Sequence, residues 1–118
     1  MKLAKSITNT LEYQNFRILS VGEQNGDYIA ELETFSPEGE DVIVDIWFDG
    51  TSRNFIDKFW NYATGFDADE HAEFWVDYRG KGGCPSSIRA LIEDADAIKR
   101  ILTETGEKLN RLRGRMKK

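Results

Sequence analysis

The chain has 118 residues, 40% of them hydrophobic and 31% charged, with 16 Lys+Arg against 21 Asp+Glu for a net charge of −5. That length suits one domain, and the composition excludes a disordered chain. No apolar run approaches the ~20 residues that a membrane-spanning helix needs, and a single cysteine excludes an internal disulfide.

The opening residues, Met1-Lys2-Leu3-Ala4-Lys5-Ser6-Ile7, put no apolar stretch behind their lysines, so no secretory leader is expected. With the lone cysteine this suggests a reducing cytoplasm. One histidine leaves a His-based metal site or a Ser-His-Asp triad without a spare imidazole. The charge is unevenly spread. Residues 1–85 hold seven cations against sixteen acids, and residues 86–118 hold nine against five. No Lys or Arg lies between Asp27 and Asp49, and no acid lies between Lys108 and Lys118. Such asymmetry fits a charged partner or two ends of one molecule that attract each other.

In chain order, residues 1–12 are weakly patterned and read as a loose lead-in, with a short strand near Leu11 and Tyr13 as an option. Asn25-Gly26 then suits a two-residue type I′ turn, because both positions need φ > 0. Counting outward from it sets Gln24 opposite Asp27, Val21 opposite Ala30 and Leu19 opposite Leu32. A three-residue turn at Pro37-Glu38-Gly39 pairs Thr34 with Val42, Leu32 with Val44, Ala30 with Ile46 and Tyr28 with Phe48. A two-residue turn there would oppose Leu32 to Asp45, against the hydrophobic pattern. The result is a three-stranded antiparallel meander over residues 16–23, 27–35 and 40–48. Its core face carries Leu19, Val21, Tyr28, Ala30, Leu32, Val42, Val44, Ile46 and Phe48. Its other face carries Ile18, Ser20, Ile29, Glu31, Glu33, Ile43, Asp45 and Trp47.

Three helices follow. Phe55, Ile56, Phe59, Trp60 and Ala63 recur at helical spacing after Asp49-Gly50-Thr51-Ser52, which is turn and cap chemistry. Asp67 caps a second helix, with Glu70 three residues on, that carries Ala72, Trp75 and Val76 to about Tyr78. Gly80-Lys81-Gly82-Gly83 breaks it, and Pro85 suits the first turn of a third helix. In that helix Ile88, Leu91, Ala95, Ile98, Leu102, Thr105, Leu109, Leu112 and Met116 alternate spacings of 3 and 4, a heptad pattern. A helix over residues 86–116 would be about 46 Å long at ~1.5 Å per residue. It overhangs a compact domain, bends at Gly106, or finds a partner. The fold class is therefore α+β, a single domain over residues 1–118 with a basic helical tail at 108–118.

The candidate sites follow from this layout. Glu31 falls directly opposite Asp45, with Glu33 and Trp47 near, and like charges in register do not serve stability. Trp47, Glu31, Glu33, Asp45, Ile29 and Ile43 form the expected partner-binding face, with Trp47 as its anchor. Leu102, Leu109 and Leu112 form a second candidate interface on the long helix. Three carboxylates on an open sheet face offer too few oxygens for the 6–8 that Ca²⁺ takes, so no metal is expected. No cofactor is expected either. Asp67, Asp69, Glu70, Glu73 and Asp77 add acids on the second helix. The Gly80–Gly83 run lacks the spacing of a phosphate-binding loop. Cys84 and His71 read as passive side chains.

The segments Glu12-Tyr13-Gln14-Asn15-Phe16-Arg17-Ile18, Asn25-Gly26-Asp27-Tyr28-Ile29-Ala30-Glu31-Leu32 and Cys84-Pro85-Ser86-Ser87-Ile88-Arg89-Ala90-Leu91-Ile92-Glu93-Asp94-Ala95 cover about half the chain. They resemble small uncharacterised proteins carried by phages and integrative mobile elements of Gram-positive gut bacteria. The resemblance implies an accessory protein that engages another protein. It implies no activity and no site residues. The expected function is a non-enzymatic protein-interaction module, cytoplasmic, which binds another protein through the acidic, Trp-containing sheet face, the heptad helix or both. Self-association through the helix belongs to that reading; membrane and direct nucleic-acid binding do not. The alternatives are an acidic inhibitor of a nucleic-acid-targeting enzyme, of the anti-CRISPR or anti-restriction type, and a small carboxylate-dependent enzyme or metal-binding protein using Glu31 and Asp45.

Overall fold

The computed structural model describes residues 2–78 and 87–115. Its elements run α1 (Lys5–Tyr13), β1 (Arg17–Gln24), β2 (Asp27–Phe35), β3 (Asp41–Phe48), α2 (Ser52–Gly65), α3 (Ala68–Tyr78) and α4 (Ile88–Arg115). The strands form one antiparallel sheet in the order β1-β2-β3, and helices follow it, as expected of an α+β chain.

Both turns adopt the chemistry read from the sequence. Asn25 and Gly26 have φ of 55° and 88°, as a type I′ turn demands. In the second turn the Gly39 amide donates to the Ser36 carbonyl at 2.9 Å, and Gly39 itself has φ of 88°. The β2–β3 register matches the expected one at every pair, from Tyr28 opposite Phe48 to Thr34 opposite Val42. Burial alternates residue by residue along β3, with Val42, Val44, Ile46 and Phe48 buried. Among the described residues no helix layers the other face of the sheet, where Phe35, Ile43 and Trp47 are exposed.

The first hairpin needs a correction. Val21 does face Ala30, but a bulge between Ile18 and Ser20 sets Ile18, not Leu19, opposite Leu32. Ile18 therefore packs against the core and Leu19 is exposed. Arg17 gains from this shift, because it comes to lie opposite Glu33 and pairs with it.

The lead-in also needs one. Residues 5–13 are helical, not loose and not a strand. Leu3, Ile7 and Leu11, at i, i+4 and i+8, are all buried in the core cluster. No side chain caps the N-terminus of α1. Its C-terminus closes as a Schellman motif: the Asn15 amide bonds the Glu12 carbonyl and the Phe16 amide bonds the Leu11 carbonyl, with Asn15 at φ of 66°. Phe16 then packs edge-on against Phe59 of α2 at 5.9 Å.

The heptad stripe of α4 is filled from inside. Leu91, Ala95, Ile98, Leu102, Thr105 and Leu109 are all buried, where α4 packs against α1, α2 and α3. Gly106 belongs to the same packing. A Cβ there would lie 2.7 Å from the Trp60 ring, so glycine admits the indole against α4. It is a close-approach residue, and α4 runs unbroken through it. At 28 residues α4 is about 42 Å long at ~1.5 Å per residue. The 48 Å long axis of the molecule accommodates that length.

Candidate interaction surface

The uncovered sheet face is where the structure concentrates unexplained groups. β3 contributes Asp41, Ile43, Asp45 and Trp47, and β2 contributes Ile29, Glu31, Glu33 and Phe35. Side chains alternate along each strand, so these eight share one face. Trp47 is 46% exposed, Ile43 42% and Phe35 58%. Glu31 lies opposite Asp45 and Ile29 opposite Trp47. Five of the six expected residues thus form one patch: Trp47, Ile43, Ile29, Glu31 and Asp45. Among the described residues, neither Glu31 nor Asp45 has a cation within ion-pair distance.

Glu33 differs from the other five. It is only 8% exposed and is satisfied on two sides. A hydrogen bond with Asp41 holds its carboxyl below the usual range, with the Arg17 guanidinium adding to that and desolvation opposing it. The same bond pushes Asp41 up, with desolvation and the Glu33 charge adding to it. Arg17 supplies the neutralising charge that the Asp27–Asp49 stretch lacks. Glu33 is therefore part of the sheet's own support. One further residue, Phe35, lies exposed on this open side and was not expected, and Leu19 is exposed at the bulge. Phe35 ends β2 on the same parity as Glu31 and Glu33, so period-two counting carried one step further finds it. Leu19 appears only once the bulge is known.

Glu40 of the second hairpin is a bolt, not a solvated charge. Glu40 accepts from the Trp75 indole at 3.2 Å and pairs with His71 at 3.0 Å, which ties α3 to the start of β3. His71 packs against Phe66 at 5.2 Å between ring centroids. A shallow cleft of about 520 Å³ adjoins it, lined by Tyr62, Phe66, Asp67, Glu70, His71 and Phe74. Asp67 caps α3 by accepting from the Glu70 amide at 3.0 Å, as its sequence position suggested. Buried Asp94 of α4 accepts from the Glu38 amide at 3.0 Å.

The second candidate interface is not available. Leu102 and Leu109 are fully buried in the chain's own core, and Leu112 packs against that core. The heptad is a core stripe because the domain supplies its own helices to fill the seam. The basic end is engaged too. Arg113 pairs with Asp57 of α2 at 2.8 Å, and Lys108 lies 5.1 Å over the ring of Tyr13. Lys99 caps α2 by donating to the carbonyls of Ala63, Thr64 and Phe66 at 2.7–3.0 Å. Gly80–Gly83, Cys84, Pro85, Met116, Lys117 and Lys118 lie outside the described residues, as do the side chains of Val76 and Asp77.

Among the described residues no three His, Cys, Asp or Glu side chains group as a metal set, and no helix is long and apolar enough to cross a membrane. No family model, curated protein or solved structure matches the chain.

Proposed function

We propose that this protein is a non-enzymatic interaction module that docks on another protein through its open sheet face. One observation carries the reading. A large indole and two further large apolar side chains, Trp47, Ile43 and Phe35, stand exposed together on the face that no helix covers. The four described helices could cover the sheet, yet the described core cluster lies on its other side. Large apolar side chains exposed along one strand face, with the carboxylates of Glu31 and Asp45 set between Trp47 and Ile43, fit a protein-binding surface. Tryptophan is the residue type most enriched among energetically dominant contacts. The carboxylates Glu31 and Asp45 fit a partner-steering role better than acid–base chemistry, because they stand on an open strand face and not in a cleft that would hold a substrate against them.

Site-specific photo-crosslinking tests this in lysate of a cell that carries the protein. A photoreactive residue at Ile43 should capture a defined protein, and one at Glu104 on the opposite, helical side should not. Equal capture from both positions, or capture only from Glu104, would move the docking surface off the sheet.

A further inference from the structure

The chemistry of the partner follows from which cations this chain has already committed. Arg17 is bound to Glu33, Arg113 to Asp57 and Arg89 to Glu93, while Lys99 sits on the end of α2 and Lys108 on Tyr13. Lys108 and Arg113 are thus held on the helical side of the molecule. Glu31 and Asp45 are two carboxylates in direct register with no cation in ion-pair contact among the described residues. Adjacent like charges on a sheet are unfavourable, and a partner that neutralises both relieves that cost on binding.

Three occupants compete for such a face. A second copy would set the acidic patch against itself across a two-fold axis, which opposes like charges. A nucleic acid brings more negative charge and is repelled. A basic protein surface is complementary in sign. Within that class, arginine fits better than lysine. Its planar guanidinium presents several donors in one fork, so one group reaches two neighbouring carboxylates, and it stacks on an indole. The side chain next to Asp45 on the same strand face is Trp47, and Ile43 borders it on the other side. The β1 side of the patch is low, because Ser20 faces Glu31 and Gly22 faces Ile29. A Cβ at Gly22 would meet nothing within 4 Å. That leaves open space on the β1 side of the patch, opposite Ile29 and next to Glu31 along the sheet.

Resting on the docking reading above, we propose that the sheet face receives an arginine of a basic protein partner, its guanidinium bridging Glu31 and Asp45 and lying against Trp47. The probe is octa-arginine, with octa-lysine of equal charge as its comparison, and backbone and indole NMR signals as the readout. Octa-arginine should shift the Glu31 and Asp45 amides and the Trp47 indole, and bind about tenfold more tightly than octa-lysine. The double substitution Glu31→Gln with Asp45→Asn should weaken octa-arginine at least tenfold, and Trp47→Ala should remove the preference over octa-lysine. Equal affinity for the two peptides overturns the proposal, as do shifts centred on Asp67, Asp69 and Glu70. So does sedimentation showing a dimer that Ile43→Glu abolishes, since a second copy would then be the occupant. If crosslinking from Ile43 still captures a protein from lysate after the Glu31/Asp45 double substitution, docking on this face stands and the arginine assignment fails. If octa-arginine behaves as stated but Ile43 captures nothing, the face binds arginine and the module reading fails.

Discussion

The amide of Glu38 donates to Oδ1 of Asp94 at 3.0 Å, although the two residues are 56 positions apart. This bond fastens the tip of the second hairpin to the first turns of α4, while Glu40 at the base of the same turn holds His71 and Trp75 of α3. The hairpin tip is thereby fixed to the helical layer at two points. Asp94→Ala leaves the Glu38 amide without its acceptor at a part-buried position. It should cost about 1–3 kcal/mol, the usual penalty for an orphaned buried donor, measured by urea denaturation.

Two glycines on α4 should respond to alanine with opposite signs. A Cβ added at Gly114 would meet nothing within 4 Å, so Gly114→Ala should stabilise the helix by up to about 1 kcal/mol. Gly106→Ala drives a methyl group into the Trp60 ring, and overpacking of this kind costs about 1–3 kcal/mol, more than the helix-propensity gain. Gly106→Ala should therefore lower the melting temperature, and adding Trp60→Leu should recover much of the loss.

The Asp49 carboxylate accepts from the Thr51 hydroxyl at 2.7 Å and the Thr51 amide at 2.9 Å. These bonds, chiefly that from the hydroxyl, hold its pKa below the usual aspartate value. A depressed acid stabilises the folded state above its unfolded pKa of about 3.9 and loses that contribution as pH falls through the folded value. Asp49→Asn should therefore be less stable than the parent at pH 7, and the gap should narrow below about pH 4. A gap that stays constant from pH 7 to pH 2 would show that the charge on Asp49 contributes nothing.

The sheet was legible because its signals are local. Asn25-Gly26 and Pro37-Glu38-Gly39 fix two registers, and the apolar partners agree with them. The bulge at Leu19 was not legible, because period-two counting has no term for an extra residue. It moved Leu19 outward and brought Arg17 to Glu33. Helix α1 was hidden by its polar composition and the absence of a cap at Ala4, though Leu3, Ile7 and Leu11 have helical spacing and Asn15-Phe16 suits a Schellman end. The heptad of α4 was visible, but spacing alone cannot say whether a seam is filled by the same chain or by another. Here Phe55, Phe59 and Ala63 of α2, with Ile7 and Leu11 of α1, belong to the same core as the seam. Leu102→Ala should accordingly destabilise the folded chain by about 2–5 kcal/mol, as core truncations do. All six residues expected to bind a partner share one face because the β2–β3 register was correct, and Glu33 alone is withdrawn from it by burial and its pairing with Arg17.

The central claim is that the open sheet face, anchored by Trp47, is a docking surface and not part of the fold's support. Its most direct test is quantitative capture of the Ile43-crosslinked protein by the parent chain, by Trp47→Ala and by the control Tyr13→Ala, with circular dichroism on each. Trp47→Ala should weaken capture by about 2 kcal/mol or more, equivalent to at least ~30-fold, with spectrum and melting temperature close to the parent. Tyr13→Ala should capture as the parent does. An unfolded Trp47→Ala, or a folded one that captures as well as the parent, would contradict the account.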